Sequence, residues 1–175
     1  LRKVVAEGKL KAAKEWIQDY LDSTDGKIVV FAYHRAIFEN LVEEYKKICA
    51  CGGGAGEARH EEVKRFQTDP KCRVFIGSIK ADKEAITLTA ANTVVFIEQG
   101  WTPGEHDQAE DRINRIGQQA DSITAYYFLG KDSIDEYLWD LIEKKREIIT
   151  KILDGEEKWT KLKEKINWQS LIARL

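Results

Sequence analysis

The sequence lacks several features that would mark a membrane or a secreted protein. No apolar run approaches the roughly 20 residues of a membrane-spanning helix, and the first residues do not form a signal peptide. The only cysteines are Cys49, Cys51 and Cys72, and their spacing matches none of the common zinc patterns. We therefore expect reduced thiols, no bound metal and an intracellular protein.

A strong charge of either sign is also missing. The formal net charge is −2, so the chain as a whole has no signature of nucleic-acid binding, and any contact with DNA must come from a local patch. Methionine is absent and the chain begins at Leu1, which suggests a piece of something longer. With 175 residues, 43% of them hydrophobic, we expect one domain with a helical extension.

The histidines carry no catalytic pattern. His34, His60 and His106 form no sequence constellation with a serine or cysteine nucleophile. We therefore assign them no catalytic role.

Strands and helices alternate along most of the sequence. Apolar runs typical of buried parallel strands occur at Lys27–Tyr33, Arg73–Gly77, Thr93–Glu98 and Ser122–Leu129. Helical spacing of apolar residues predicts helices at Ala6–Leu21, 36–47, Glu57–Phe66, around Lys80–Ile86, from Ser133 to about residue 152, and after Gly155. A glycine-rich loop is predicted at Cys51–Gly56. This order predicts an α/β fold in which helices cover both faces of a parallel sheet.

The stretch Gln108–Gln118 sorts into two faces if it forms a helix. At 100° per residue, Gln108, Arg112 and Arg115 fall within about 60° of one another. The opposite face is apolar and suited to a core; it holds Ala109, Ile113 and Ile116. Gly117 would end the helix, as a C-terminal glycine commonly does.

Such a helix presents two guanidiniums and an amide side by side, which suits a polyanion such as a nucleotide triphosphate. The helix alone leaves a simpler interpretation open, in which Arg112 and Arg115 lie on a solvated face or pair with Glu110 and Asp111. The longer motif favours the first interpretation. The run Gln-Ala-x-x-Arg-x-x-Arg-x-Gly-Gln resembles the last helicase motif of the Swi/Snf-type ATPases, which belong to helicase superfamily two.

The resemblance extends from about Gly8 to Leu153, in the order of the second RecA-like lobe of that family. The matching segments are Gly8–Leu10, Lys27–Tyr33, the helix with Arg59, Val63, Arg65 and Phe66, then Phe75–Ala81, Ile86–Ala91 and Trp101–Gly104. It implies a RecA-like lobe at residues 1–131 and a helical extension at 132–175 that packs on it. Trp-x-Pro-Gly with Gln-Ala-Glu-Asp-Arg looks most like the branch with fork-remodelling, strand-annealing motors.

The resemblance also implies an ATP-driven translocase on double-stranded DNA. A first lobe would bind ATP and Mg²⁺, while Arg112 and Arg115 would reach the γ-phosphate as arginine fingers and Gln108 would position the nucleotide. This chain has no G-x-x-x-x-G-K-[S/T] phosphate loop and no acidic magnesium box, both of which the family places in that first lobe. We therefore expect that these 175 residues alone do not hydrolyse ATP appreciably.

Contacts with DNA are expected from loops at the carboxyl ends of the strands. The candidates are Ser78 and Lys80, with His34 and Arg35 after the first strand, and they would bind phosphates without regard to sequence. Trp101 would couple the DNA and ATP sites. The expected partners are duplex DNA and the first lobe of the same chain, with no membrane. The location would be the cytoplasm in a prokaryote or virus and the nucleus in a eukaryote.

One segment departs from the family. Where the family usually has Ala-Gly-Gly-x-Gly, this chain reads Ala81-Asp82-Lys83-Glu84-Ala85. The substitutions remove the flexibility of glycine and add carboxylates that repel phosphate. A degenerate lobe that acts as a DNA- or protein-binding module is therefore an alternative. An RNA helicase is disfavoured, because those usually read His-Arg-x-Gly-Arg where this chain has Asn114–Gln118.

Overall fold

A parallel sheet forms the centre of the structure, a computed structural model that describes residues 1–53, 56–80 and 86–154. The strands are β1 Lys27–Ala32, β2 Cys49–Cys51, β3 Val74–Ser78, β4 Ala91–Phe96 and β5 Thr124–Tyr127. They lie in the order β2-β3-β1-β4-β5, and every pairing is parallel. The helices are α1 Arg2–Ser23, α2 Arg35–Tyr45, α3 Glu57–Thr68, α4 Pro103–Glu110 and α5 Ile134–Asp154.

Residues of the central strand β1 alternate between two cores. Ile28 and Val30 pack with α1 and α2 on one face of the sheet. Val29 and Phe31 pack on the other face, with Phe66 of α3 and residues of α4. Helices therefore cover both faces, and the α/β fold predicted from the sequence is confirmed.

Strand β2 is the one strand of the described sheet that the sequence does not predict. It has three residues, and its last residue, Cys51, was expected to open a glycine-rich loop. It lies at the edge of the sheet and pairs only with β3. A run this short has too few residues to show a period, so the pairing with β3 defines the strand.

Helix α5 packs on α1, α4 and the end of β5. The ring of Trp139 lies 4.6 Å from that of Tyr127, centre to centre, and Arg146 donates to Asp107 at 2.8 Å. The predicted apolar stripe of this helix is only partly inward, because Ile149 is 46% exposed. The short helix predicted around Lys80–Ile86 falls largely on residues 81–85, and the last helix was predicted after Gly155; both segments lie outside the described residues. Among the described helices, none is long and apolar enough to span a membrane.

A buried ion pair between Lys9 and Asp135 ties α1 to α5. Lys9 Nζ also donates to the carbonyl of Phe128 at 2.7 Å, and the backbone N–H of Gly130 donates to the Asp135 carboxylate at 3.1 Å. Burial lowers the pKa of Lys9, against the opposing effect of the Asp135 charge. Each charged group of the pair therefore has the other and a backbone group as partners. Removing either side chain would leave the other charge buried without its ion-pair partner.

We expect Asp135→Ala to lower the free energy of unfolding by about 3–5 kcal/mol, because Lys9 is then left charged and buried without its carboxylate. Urea denaturation of the chain measures this change. Lys11→Ala is the matched control, since its ion pair with Glu15 is exposed and adds little. An Asp135→Ala variant as stable as Lys11→Ala would contradict the assignment.

Candidate functional site

The first turn of α4 is fixed by its own sequence. Pro103 occupies the start of the helix, and Thr102 and Glu105 form a capping box. The Glu105 carboxylate accepts a hydrogen bond from the backbone N–H of Thr102 at 3.0 Å. These local interactions define where α4 begins.

His106 anchors α4 to the sheet. Its buried ring lies 5.3 Å from both Phe96 and Tyr127, and its Nε2 accepts from the Gly100 N–H at 2.7 Å. Burial lowers the pKa of His106 to about 3, and the positive charge of Arg146 acts in the same direction. The imidazole is therefore neutral at physiological pH, which its role as an acceptor requires.

Helix α4 ends at Glu110, several residues earlier than predicted. The carbonyl of Arg112 accepts a hydrogen bond from the backbone N–H of Leu88 at 2.8 Å. In a continued helix that carbonyl would accept from residue 116 instead. The chain turns irregularly up to Gly117, whose φ of +106° is of the kind that glycine adopts most easily.

The early end of α4 changes which side chains face inward. Arg112 is 7% exposed, whereas Gln108 and Arg115 are exposed, so the prediction that the three share one helical face is wrong. Ile116, predicted to face the core, is fully exposed. The other two residues of the predicted apolar face are buried as expected, namely Ala109 and Ile113.

The arginines nevertheless come together in the tertiary structure. Arg115 Nη1 donates to the Thr87 hydroxyl at 3.2 Å, and the Arg112 guanidinium lies 5.7 Å from the centre of the Phe31 ring. Burial, together with the charges of Arg59 and Arg115, lowers the pKa of Arg112 to about 10. Arg112 therefore stays protonated near pH 7 and contributes a positive charge close to two others.

Arg59 is the member of this cluster to which the sequence assigns no role. It lies on α3, is 4% exposed, and is the charged group that most affects the pKa of Arg112. In the sequence, Arg59 is noted only as part of a helix that resembles the family. That resemblance does not predict that Arg59 lies beside α4. We call Arg59, Arg112 and Arg115 the arginine cluster; its donors suit phosphate oxygens.

The four predicted DNA contacts meet at the carboxyl edge of the sheet. A groove of about 550 Å³ there is lined by Tyr33, His34, Arg35, Phe38, Glu39, Gly53, Ser78 and Lys80. The neighbouring strands β1 and β3 bring them together, because Ala32 of β1 pairs with Ser78 of β3. We call this surface the carboxyl-edge groove.

Individual contacts order this groove. Lys80 Nζ lies 3.8 Å from the centre of the Tyr33 ring, and Arg35 pairs with Glu39 on α2. The buried carboxylate of Glu98 bonds to the His34 ring and accepts from the backbone N–H groups of Tyr33 and His34, each at 2.9 Å. Glu98 thus holds the end of β1, a role that its place just after β4 did not reveal.

Trp101 connects the groove to α4. It is 47% exposed, and its indole Nε1 donates to the Tyr33 hydroxyl at 2.7 Å. The guanidinium of Arg2 lies 4.4 Å from the Tyr33 ring centre and 4.5 Å from that of Trp101. Tyr33 and Arg2 are not among the sequence candidates, because their part depends on contacts distant in the chain.

The next question is whether the described residues could hold a metal ion. In the part of the chain that the structure describes, no group of three His, Cys, Asp or Glu side chains is arranged to hold a metal ion. The cysteines there are free thiols. The donors of the arginine cluster suit an anionic ligand.

Comparison with known proteins identifies the family. Residues 8–117 match the helicase conserved C-terminal domain. The chain is 37% identical over 149 residues to SWI/SNF-related matrix-associated actin-dependent regulator of chromatin subfamily A-like protein 1 of Xenopus laevis, covering 82% of this chain and 15% of that protein. It is 34% identical over 176 residues to DNA annealing helicase and endonuclease ZRANB3 of Homo sapiens, covering 97% of this chain and 16% of that protein.

Solved structures agree with the sequence relatives. The C-terminal part of the Fun30 ATPase domain is similar with a TM-score of 0.67 at 26% identity, over 77% of this chain and 45% of that one. The Sulfolobus solfataricus SWI2/SNF2 ATPase core in complex with double-stranded DNA gives 0.64 at 26% identity, over 87% of this chain and 32% of that one. The fold is therefore that of a RecA-like helicase lobe. The chain belongs to the helicase conserved C-terminal domain family, as the C-terminal lobe of a Swi/Snf-type superfamily-two ATPase.

The neutral His106 predicts a pH dependence of stability. Its pKa is about 3 when folded and about 6.5 in the unfolded chain, so below pH 6.5 the unfolded state binds a proton that the folded state does not. We expect this residue to remove about 2 kcal/mol of stability between pH 7 and pH 5.

Urea unfolding of wild type and His106→Gln at both pH values isolates this contribution. The stability difference between the two chains should shrink as the pH falls, because glutamine does not titrate. A difference that stays constant from pH 7 to pH 5 would show that His106 is not held neutral.

Proposed function

We propose that this chain is the second motor lobe of a longer, DNA-dependent ATPase that moves on double-stranded DNA. The observation that carries the proposal is the convergence of Arg59, Arg112 and Arg115 beyond α4, where a polyanion can be bound. The chain spans a small part of the length of its relatives, 15% and 16% of the two compared above. A first lobe in the same protein would supply the phosphate loop and the Mg²⁺ ligands.

In this proposal the arginines act on the substrate ATP across the cleft between two lobes. Arg115 lies exposed at the end of its turn and reaches the γ-phosphate, while the more buried Arg112 reinforces the positive field from below. Their charge stabilises the negative charge on the transferring phosphoryl group. The exposed amide of Gln108 positions the nucleotide from the last turn of α4.

The carboxyl-edge groove is the proposed DNA interface. Lys80, Ser78, His34 and Arg35 offer donors and positive charge on one rim, which suits a phosphate backbone read without regard to base sequence. The similar Sulfolobus solfataricus core is described in complex with double-stranded DNA, which supports the assignment. The small net charge of −2 is no obstacle, because the positive side chains are local.

Trp101 is proposed to couple the two sites. It bonds to Tyr33, which lines the groove, and it stands just before the capping box that begins α4. A shift of the groove on DNA binding would therefore be passed to the helix that leads to the arginine cluster. One hydrogen bond, from Trp101 to Tyr33, and the short helix α4 connect the groove to the arginine cluster.

A protein- or DNA-binding module without catalysis is the second candidate. It is favoured by the acidic residues in the segment 81–85, where the family usually has glycines. The arginine cluster weighs against it, since three guanidiniums close together, one of them held by Thr87, suit a phosphate-binding site.

We expect Arg115→Ala in the full-length protein to lower DNA-stimulated ATP hydrolysis by roughly 10³-fold, because the transition state loses a positive charge. ATP binding should change little, since the other lobe holds most of the nucleotide. Steady-state hydrolysis with saturating duplex DNA, together with an ATP binding assay, measures both.

Arg65→Ala is the control for that experiment, since Arg65 lies on α3 and pairs with Glu62 of its own helix. Turnover by Arg115→Ala at the wild-type rate would exclude the arginine-finger role. A wild-type protein without DNA-stimulated hydrolysis would favour the binding module.

We expect Lys80→Ala to weaken binding to duplex DNA about equally for unrelated sequences. The slope of the logarithm of the binding constant against the logarithm of the salt concentration should fall in magnitude by about one. Fluorescence anisotropy of the full-length protein over a range of salt concentrations measures the slope. Lys71→Ala is the control, because Lys71 is an exposed lysine just before β3, at the opposite end of that strand. Equal slopes for the two variants would place the DNA elsewhere.

A further inference from the structure

Two glutamine side chains hold the backbone beside the arginine cluster. Gln67 stands at the end of α3, and its Nε2 donates to the carbonyl of Thr87 at 2.9 Å and to the hydroxyl of Thr89 at 3.3 Å. Its Oε1 accepts from the backbone N–H of Ala90 at 2.7 Å. One side chain therefore fixes both a carbonyl and an N–H of the segment 86–91.

Gln118 makes the equivalent contacts from the other side. Its Nε2 donates to the carbonyls of Ala91 at 2.8 Å and Ile113 at 3.2 Å. Its Oε1 accepts from the backbone N–H of Ala120 at 3.0 Å. This amide thus joins the segment 86–91 to the turn that follows α4.

The same segment is what the arginines contact. Leu88 N–H donates to the Arg112 carbonyl, and Thr87 accepts from Arg115 through its hydroxyl while its carbonyl accepts from Gln67. Thr87 is therefore held by Gln67 through its backbone and holds Arg115 through its side chain. The position of Arg115 depends on where the two glutamines place this segment.

We propose that Gln67 and Gln118 are positioning residues that set the place of Arg115 by clamping the segment 86–91 and the arginine turn to each other. The inference rests on the proposed finger role of Arg115. Neither glutamine is proposed to touch the substrate, since both line a hollow of about 550 Å³ on the side of the segment at the amino end of β4.

The physical reason is that a catalytic guanidinium acts only when it is held near its productive geometry. Arg115 has a long, flexible side chain on an irregular turn, and such a turn has no helical hydrogen-bond ladder to fix it. In each glutamine, both the amide nitrogen and the amide oxygen are hydrogen-bonded to backbone groups. Each glutamine therefore restricts the movement of several backbone groups at once. A displacement of about 1 Å at such a site can lower a rate by about 10²-fold.

The test uses Gln67→Met in the full-length protein, since methionine is close in size and cannot make these hydrogen bonds. We expect kcat for DNA-stimulated ATP hydrolysis to fall by about 10- to 100-fold, with KM for ATP within about twofold of wild type. Hydrogen exchange should rise in residues 86–91 and 112–118 and stay unchanged in β1 and β3. Gln118→Met should behave in the same way and provides a second variant.

A double variant separates positioning from general support of the fold. In single-turnover experiments with excess enzyme, Gln67→Met should have little further effect on hydrolysis when Arg115 is already alanine. Gln18→Met is the control, because the amide of Gln18 bonds only within the surface of α1, to Asp22, and should leave kcat unchanged.

Three outcomes would overturn the inference. They are an unchanged kcat in Gln67→Met, an effect on KM alone, and an equal loss in the Arg115→Ala background. If Arg115→Ala itself keeps full activity, the finger role fails first. Hydrogen exchange still reports in that case whether the glutamines clamp the arginine turn.

Discussion

The hydrogen bond from the Leu88 N–H to the Arg112 carbonyl is the contact on which the candidate site depends. The bond occupies a carbonyl that a continued helix would use for residue 116, and the chain turns after α4 ends at Glu110. The turn buries Arg112 against the sheet and leaves Arg115 at the surface beside Thr87. A straight helix would instead have set both arginines at similar depth on one face.

The resulting cluster is electrostatically costly. Arg112 is largely removed from water close to two further guanidiniums, and its lowered pKa records both burial and repulsion. A concentration of positive charge in a partly buried place is a common feature of sites that bind anions. The glutamine contacts on the segment 86–91 give this strained arrangement a defined backbone.

A short series of contacts joins the two candidate surfaces of the lobe, the carboxyl-edge groove and the arginine cluster. At the carboxyl edge of the sheet, Glu98 bonds to the end of β1. The Tyr33 ring contacts the charged groups of Arg2 and Lys80, and the Tyr33 hydroxyl accepts a hydrogen bond from Trp101. Trp101 leads directly into α4, and α4 leads to the arginines. Because each step is a contact between ordered side chains or one helix, a displacement at the groove has a physical route to the arginine cluster.

The sequence by itself determined the parallel α/β architecture and the motif with its arginines, because apolar runs and helical spacing are local signals. The family resemblance placed His34, Arg35, Ser78 and Lys80 at one edge, and the order of parallel strands made them neighbours. Only the tertiary structure decided where α4 ends, that Ile116 faces solvent, that Arg59 joins the cluster and that Cys49–Cys51 is a strand. The turn after α4, the place of Arg59 and the strand Cys49–Cys51 depend on partners more than 20 residues away in the chain, such as Leu88 for Arg112, and no local pattern encodes such a hydrogen bond.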